Sequence, residues 1–463
     1  MRRMMMKKMV LFHKTPAIWS KLDYVEEALP AELSDIETDT LEEDSAIFSL
    51  FHSDIYIRLS QFICHHFGIK ELHIVQGFSE GEKRNWINGE KKGKYKIDSI
   101  STYWCVDNPQ ELAGFMDADL IFSRGNYQML HHFLHNFQNR NPNQIWIHYP
   151  ATASMFPHFN LYEQKILTSV EMPPSERRKI DEQITGMMIE NQISKGQTPV
   201  GEADLHTMIA NLNSHVNSYR RKKNVGPYDI VLVDDEGSIE SHERVYENSS
   251  ILKFTKPAIE PSLLLKYKRK YDLLFCGTTL QATKNHMLFV SLLNRMDREL
   301  ETPLRIAIAG NREDIPAFSQ GLKKQYEHII VEDHGELTRQ QLFELFNDSK
   351  TLIVLSGRDC NPRIIQEAGL CGTSVIAADT MSDGLELLKK YPLLGTVIPT
   401  KKSSWFYQRN GNLLFEVNQP FTLRVLAAIN AANSPFLVRK ISKKVYSMET
   451  SCQAISDQIR ILR

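Results

Sequence analysis

The chain has 463 residues, 42% of them hydrophobic and 24% charged. That is the make-up of an ordinary globular protein, too long for one hydrophobic core, so two domains plus insertions are expected. Its 55 Lys and Arg against 56 Asp and Glu leave a formal charge of −1, which argues against a general polyanion binder and against nucleic acid as a partner.

Cys64, Cys105, Cys276, Cys360, Cys371 and Cys452 show no paired spacing, so neither a disulfide framework nor a zinc site is indicated, and a reducing cytosol fits. The N-terminus is basic through Arg2, Arg3, Lys7 and Lys8. The apolar run Met9 to Phe12 is too short for a signal peptide or a spanning helix and reads as a first strand. Glu26 to Asp44 is strongly acidic and reads as a solvated loop or weak helix. Helical spacing follows over Ile47 to Phe67, then a strand Leu72 to Gln76 ending at Gly77, and a polar loop that contains Gly81.

Asp119 to Phe122 reads as a strand, with Ser123, Arg124 and Gly125 at its end and a helix from Tyr127 through Phe133. Gln144 to His148 is again apolar and ends in polar residues. Consecutive strand and helix units imply a parallel sheet whose ligands gather at the carboxyl ends of the strands. His148 occupies such an end, where a histidine either bonds locally or faces a ligand. From Leu161 to about Gly226 the pattern is helical, charged and interrupted by prolines, which predicts a helical insertion of the first domain. The run Arg220 to Lys223 within it reads as a solvated helix end, or as a contact with anionic lipid or an anionic acceptor. Tyr228 to Val233 and Ile251 to Phe254 are the last strands before a linker marked by Pro257 and Pro261.

The second half opens on the strand DLLFCG from Asp272 and the loop GTTLQATKNH, which leads into a helix near His286. Strands Leu304 to Ala309 and Ile329 to Glu332 follow, the second leading into DHGELTRQQLFELFNDSK. Leu352 to Asp379 then reads as one strand, helix, strand unit. Leu352 to Leu355 is a buried strand, Ser356 and Gly357 break it, Asn361 caps a helix with Pro362 first, and Gly372 ends that helix in a left-handed conformation. Ser374 to Ala377 is the return strand. After Pro399 the pattern loosens, and Phe421 to the C-terminus is helical with a break at Pro435.

Two carboxylates frame that unit, Asp359 and, after seven intervening residues, Glu367. With the text DCNPRIIQE followed by AGLCGTSVIAAD, the chain resembles the retaining glycosyltransferases of the GT-B fold, the sucrose-synthase-like and mannosyltransferase-like group. Their signature has Glu at both carboxylate positions; here the first is Asp. The resemblance covers roughly Asp272 to Pro399 well and the first 260 residues in outline.

It implies an α/β fold of two Rossmann-like domains whose parallel sheets face across a cleft. The expected boundaries are 1–260 for an acceptor-side domain with the insertion at about 161–226, and 261–430 for a nucleotide-sugar domain. A C-terminal helix in 431–463 would cross back onto the first domain.

It further implies that Glu367 accepts from ribose hydroxyls and Asp359 holds donor-sugar hydroxyls, with backbone amides around Cys360 and Asn361 facing the diphosphate. Gly277, Thr278, Thr279 and Lys284 form the phosphate loop. Thr278 and Thr279 stand where the family has Arg, so neutralisation of the diphosphate is either weaker or completed by Arg358 or Arg363. His334 and Gly335 form the turn beside the base, and His148 faces the acceptor; Gly77 and Gly81 are candidates for the early glycine loop that lies against the donor or the acceptor, or simply turn the chain after a strand. His148, Asp359 and Lys284 are the catalytic candidates.

The implied co-substrate is a UDP- or GDP-sugar, with no metal and no other cofactor. The acceptor is a carbohydrate, a protein or a lipid-linked molecule. The implied location is cytoplasmic, with a peripheral membrane or protein partner admitted. The alternative is a catalytically weak or inactive GT-B protein that scaffolds another glycosyltransferase, a reading that the missing Arg and the Asp at 359 favour. A dehydrogenase is disfavoured because no Gly-x-Gly-x-x-Gly follows a predicted strand.

Overall fold

The computed structural model describes residues 6–14, 38–40, 54–77, 93–106, 109–124, 140–150, 228–233, 248–277, 284–310, 316–356, 363–379, 384–400 and 417–463, with Phe137, Ile239, His242, Glu243 and Tyr246. They fall into two units. The first holds the described residues up to 150, those from 228 to Pro257, and Met448–Arg463; the second holds those within Ala258–Ser447.

The strands of the first unit are β1 Lys8–Lys14, β2 Thr38–Thr40, β3 Glu71–Gly77, β4 Gly93–Lys96, β5 Ser101–Val106, β6 Leu120–Arg124, β7 Ile145–Tyr149, β8 Ile230–Val233 and β9 Ser250–Lys253. They form one sheet in the order β2-β4-β5-β3-β1-β6-β7-β8-β9. Its central strands are continuous apolar runs such as MVLF, IWI and IVLV, as strands covered on both faces require. Helix α1, Ile55–Phe67, connects the middle strands. The Asp54 carboxylate caps it by accepting from the N–H groups of Tyr56 (2.8 Å) and Ile57 (3.2 Å), and Gly68 at φ 68° ends it.

Two expectations for this unit are corrected. The sheet is mixed, because β4 runs antiparallel to β5, and part of the acidic stretch is a strand, since β2 pairs with β4. The sequence reading missed β4 and β5 as well. In β4, Tyr95 is buried while Lys96 is exposed and Lys94 reaches over the Trp104 ring at 5.0 Å. A short strand next to the sheet edge and guarded by lysines carries the composition of a loop. The helix expected at Tyr127 to Phe133, Gly81, and the insertion with its Arg220 to Lys223 run lie outside the described residues.

The second unit has β10 Tyr271–Cys276, β11 Leu304–Ala309, β12 Ile329–Asp333, β13 Ser349–Val354, β14 Ser374–Ala378 and β15 Gly395–Ile398, all parallel, in the order β12-β11-β10-β13-β14-β15. Its helices are α2 His286–Glu299, α3 Pro316–Leu322, α4 Arg339–Asn347, α5 Arg363–Leu370, α6 Leu385–Lys390, α7 Gln419–Asn430 and α8 Pro435–Val445. The final helix, α9 Met448–Leu462, belongs to the first unit, where Ser451 Oγ donates to the Thr255 carbonyl at 2.6 Å. Strand β15 and helix α6 went unread in the sequence.

The alternation of side chains along each strand builds two cores. Leu273, Phe275, Ile306, Ile308, Ile353 and Ile376 face α2 and α7, with Phe275 stacked on Phe289 at 4.3 Å. Leu274, Ala307, Leu352, Val354, Val375 and Ala377 face α4, α5 and α8. Glycine allows the closest approach on this side: a Cβ on Gly369 of α5 would overlap Ser442 Oγ of α8.

Arg269, buried just before β10, joins the two helices on this face. Its Nη1 donates to the carbonyls of Phe346 (3.1 Å) and Asn347 (2.6 Å) at the end of α4, and its Nη2 donates to Cys371 (3.1 Å) and Gly372 (3.4 Å) at the end of α5. Burial pushes this guanidinium down to about 10, which still leaves it charged at neutral pH against two negative helix ends. Arg269→Met is expected to lower stability by about 2–3 kcal/mol, since hydrogen bonds from a charged donor are lost and carbonyls are orphaned. An unchanged urea midpoint would contradict this.

Candidate active site

In a sheet of this order the chain reverses direction between β10 and β13, and ligands gather beyond the carboxyl ends of the strands at that point. Asn285 spans it. Its backbone is left-handed at φ 58°, a conformation asparagine tolerates, and its side-chain Nδ2 donates to the Leu355 carbonyl at 2.6 Å. Lys284 therefore precedes a residue fixed to the end of β13. A Cβ on Gly277 would stand 3.2 Å from Lys284 Cβ, so the two ends of the loop after β10 close on each other. The buried His286 adds a ring nitrogen 3.4 Å from the Gly277 carbonyl oxygen. Asn285 and His286 were not among the sequence candidates, although the KNH text marks them. Thr278 and Thr279 lie outside the described residues.

The next two strand ends lock onto the same loop. Gly277 N–H donates to the Ala309 carbonyl (3.1 Å), Gly310 N–H to the Gly335 carbonyl (2.7 Å), and His334 N–H to the Ile308 carbonyl (2.9 Å). Gly310 has φ 127°, and a Cβ there would overlap the Gly277 carbonyl, so only glycine fits. The His334 ring turns back to Tyr271, with Nε2 3.0 Å from its hydroxyl, and the Gly335 N–H is taken by Asp333 Oδ1 at 2.9 Å.

From that turn the chain enters α4 through a capping box in which Thr338 and Gln341 satisfy each other's backbone N–H groups. This fixes Arg339 at the first helical position. Arg339 Nη2 donates to Glu367 Oε1 at 2.7 Å, and the guanidinium lies over Phe343 at 5.4 Å. Glu367, on α5, has a side chain only 8% exposed. Burial raises its carboxyl above the ordinary range, opposed by the charges of Arg339 and Arg363. Arg363 itself is exposed at the start of α5. Arg339 was not singled out in the sequence, because a first-turn arginine resembles any solvated one until α4 and α5 are packed together. Gly372 does take the left-handed conformation, at φ 77°. Arg358, Asp359, Cys360 and Asn361 lie outside the described residues.

In the first unit the corresponding reversal lies between β1 and β6. Three side chains meet there: Asp54 Oδ2 accepts from Arg124 Nη1 at 3.0 Å and pairs with His13 Nε2 at 3.0 Å. The Arg124 guanidinium also covers the Tyr56 ring at 4.1 Å. His13 and Asp54 were not among the sequence candidates, since one follows an apolar strand and the other falls inside the helical spacing read over Ile47 to Phe67. His148 is fully buried in β7, its Nδ1 2.8 Å from Ser123 Oγ and its ring stacked on Tyr228 at 4.4 Å. Gly77 is the last residue of β3.

No family model and no curated protein matches the chain. Among solved structures it is similar to a sucrose-phosphate synthase from Thermosynechococcus elongatus, at 13% identity over 98% of this chain and 99% of that one, with a TM-score of 0.51. It is also similar to the apo form of the lipopolysaccharide outer core galactosyltransferase WaaB, at 10% identity over 98% and 99%, with a TM-score of 0.52. These likenesses, with the two α/β units, show the GT-B fold.

Proposed function

We propose that the chain is a retaining, metal-independent glycosyltransferase that moves a sugar from a UDP- or GDP-sugar to a carbohydrate, protein or lipid-linked acceptor. The observation that carries this reading is Glu367. A buried carboxylate, held by one arginine at the carboxyl edge of a doubly wound sheet, suits the vicinal hydroxyls of a ribose, because both of its oxygens accept. The fold likeness to a synthase and a galactosyltransferase supports the same class of reaction.

In this reading the diphosphate lies over the β10 and β13 ends, with Lys284, Arg363 and the amides at the start of α5 as its donors. Asp359 holds hydroxyls of the sugar. The bond from the anomeric carbon to the diphosphate oxygen breaks with its electron pair leaving on the diphosphate. The acceptor oxygen then bonds the anomeric carbon from the same face, and its proton passes to the leaving phosphate. An ion pair of this kind requires no protein nucleophile.

The test begins with thermal shifts in UDP, GDP and ADP, since a bound ligand raises stability by mass action. It continues with each candidate donor in the presence of a chelator, reading the anomer of the product by NMR. An inverted product, or a strict divalent-ion requirement, would overturn the corresponding part of the reading. Donor hydrolysis without acceptor would separate an enzyme from a scaffold. Lys284→Ala is expected to weaken diphosphate binding on the order of tenfold or more, the worth of one charge-assisted hydrogen bond. Unchanged affinity by calorimetry would move the phosphate site elsewhere.

A further inference from the structure

The second unit carries an exposed apolar surface that its own core does not account for. Leu264 is 93% exposed and Tyr267 69%, on the extended segment before β10; Phe436 is 52% and Leu437 39% exposed, in the first turn of α8. The segment and the helix are joined. Arg439 Nη1 donates to the Leu263 carbonyl at 2.9 Å, and Glu260 pairs with Lys443. Leu265 Cδ1 and the Pro435 carbonyl oxygen each lie 2.7 Å from the place a Cβ on Gly372 would take, so the residues flanking Leu264 and Phe436 are immediate neighbours.

The exposure is enforced rather than loose. Asn347 Nδ2 donates to the Leu264 carbonyl at 2.7 Å, and Lys266 N–H donates back to Asn347 Oδ1 at 3.0 Å, so the backbone is fixed on both sides of the protruding leucine.

Basic side chains surround these tips. Lys266, Lys268, Lys270, Lys440, Lys443 and Lys444 are all exposed. Carboxylates offset some of them: Asp348 pairs with Lys266, Glu332 with Lys270 and Glu260 with Lys443. The balance is positive in a chain whose total charge is −1. A protein partner is usually gripped by anchors seated in pockets. Protruding leucine and aromatic tips flanked by long cationic side chains instead match a headgroup layer, where the tips leave water and the ammonium groups meet phosphate.

We propose that this surface docks the chain on an anionic phospholipid bilayer. Leu264, Tyr267, Phe436 and Leu437 enter the headgroup region, and Lys268 and Lys440 engage lipid phosphates. The proposal is independent of the nucleotide site, none of whose residues it uses.

The test is co-sedimentation of the full chain with phosphatidylcholine vesicles, with and without phosphatidylglycerol. Anionic vesicles should bind at least several-fold better, and added salt should weaken the binding. The pair Lys268→Glu and Lys440→Glu should lower partition on the order of thirtyfold, and the pair Leu264→Ser and Tyr267→Ser several-fold, both with an unchanged thermal midpoint because the sites are exposed. Equal binding to both vesicle types, or either double variant binding as the parent does, overturns the proposal. Full competition by soluble polyphosphate, with the serine pair unaffected, would mark a site for a soluble polyanion and also overturn it.

Discussion

Glu367→Gln is expected to weaken nucleoside diphosphate binding roughly ten- to a hundredfold, since a hydrogen bond to a charged acceptor is worth about 1.5–3 kcal/mol and glutamine loses the charge and one acceptor. The nucleotide-free protein should behave oppositely. Burial, the largest influence on this carboxyl, raises its pKa against Arg339 and Arg363, so the folded state holds the proton more tightly than the unfolded chain. A raised carboxyl costs no stability below the ordinary glutamate value, and its cost grows as pH rises towards and through the folded value. Glutamine removes that titration. The variant should therefore match or exceed the parent in urea midpoint at neutral pH while its affinity falls. A ribose lacking its hydroxyls should lose less against the variant than against the parent, because the contact is already absent. Parallel loss of stability and affinity, or no coupling to the hydroxyls, would return Glu367 to a structural role. Arg339→Gln supplies the complementary readout: with its partner removed Glu367 holds its proton to higher pH, so affinity should fall and partly recover as pH rises.

Asp54→Asn should destabilise the first unit by about 3–5 kcal/mol at neutral pH, the usual effect of breaking a buried ion pair from one side. Asparagine still caps α1, so the loss isolates the charge that faces Arg124 and His13. Burial alone would raise this carboxyl; the charges of His13 and Arg124 and the Tyr56 N–H together hold it far below the ordinary aspartate range. A depressed carboxyl gives stability that is fully present above the unfolded value and is lost as pH falls towards the folded one. The gap between parent and variant should narrow as pH falls below about 4. Tryptophan fluorescence follows this unit, since Trp104 and Trp146 both lie in its sheet. A gap that does not change on acidification would mean that Asp54 is not ionised in the folded chain.

These two carboxylates also divide what the sequence could say from what it could not. The sequence by itself determined the parallel sheet of the second unit. Leu304 to Ala309, the run DLLFCG from Asp272 and Ser374 to Ala377 read as strands because strands buried on both faces must be apolar throughout, and Gly372 marked a helix end because few other residues take a positive φ without strain. It also singled out Glu367, a carboxylate in a motif with fixed spacing. It failed at β2 and β4, where lysine and acidic residues guard a sheet edge and pattern like loops. It also failed wherever a group acquires its role from a distant partner. Arg339 lies 28 residues before Glu367, and Arg124 lies 70 after Asp54. Only the packing of α4 against α5, and of β6 beside β1 with α1 above them, brings these charges within 3.0 Å of one another and out of water. Local pattern records which face of an element is buried. Which charges meet there is set by the crossover order of the sheet, which no local spacing contains.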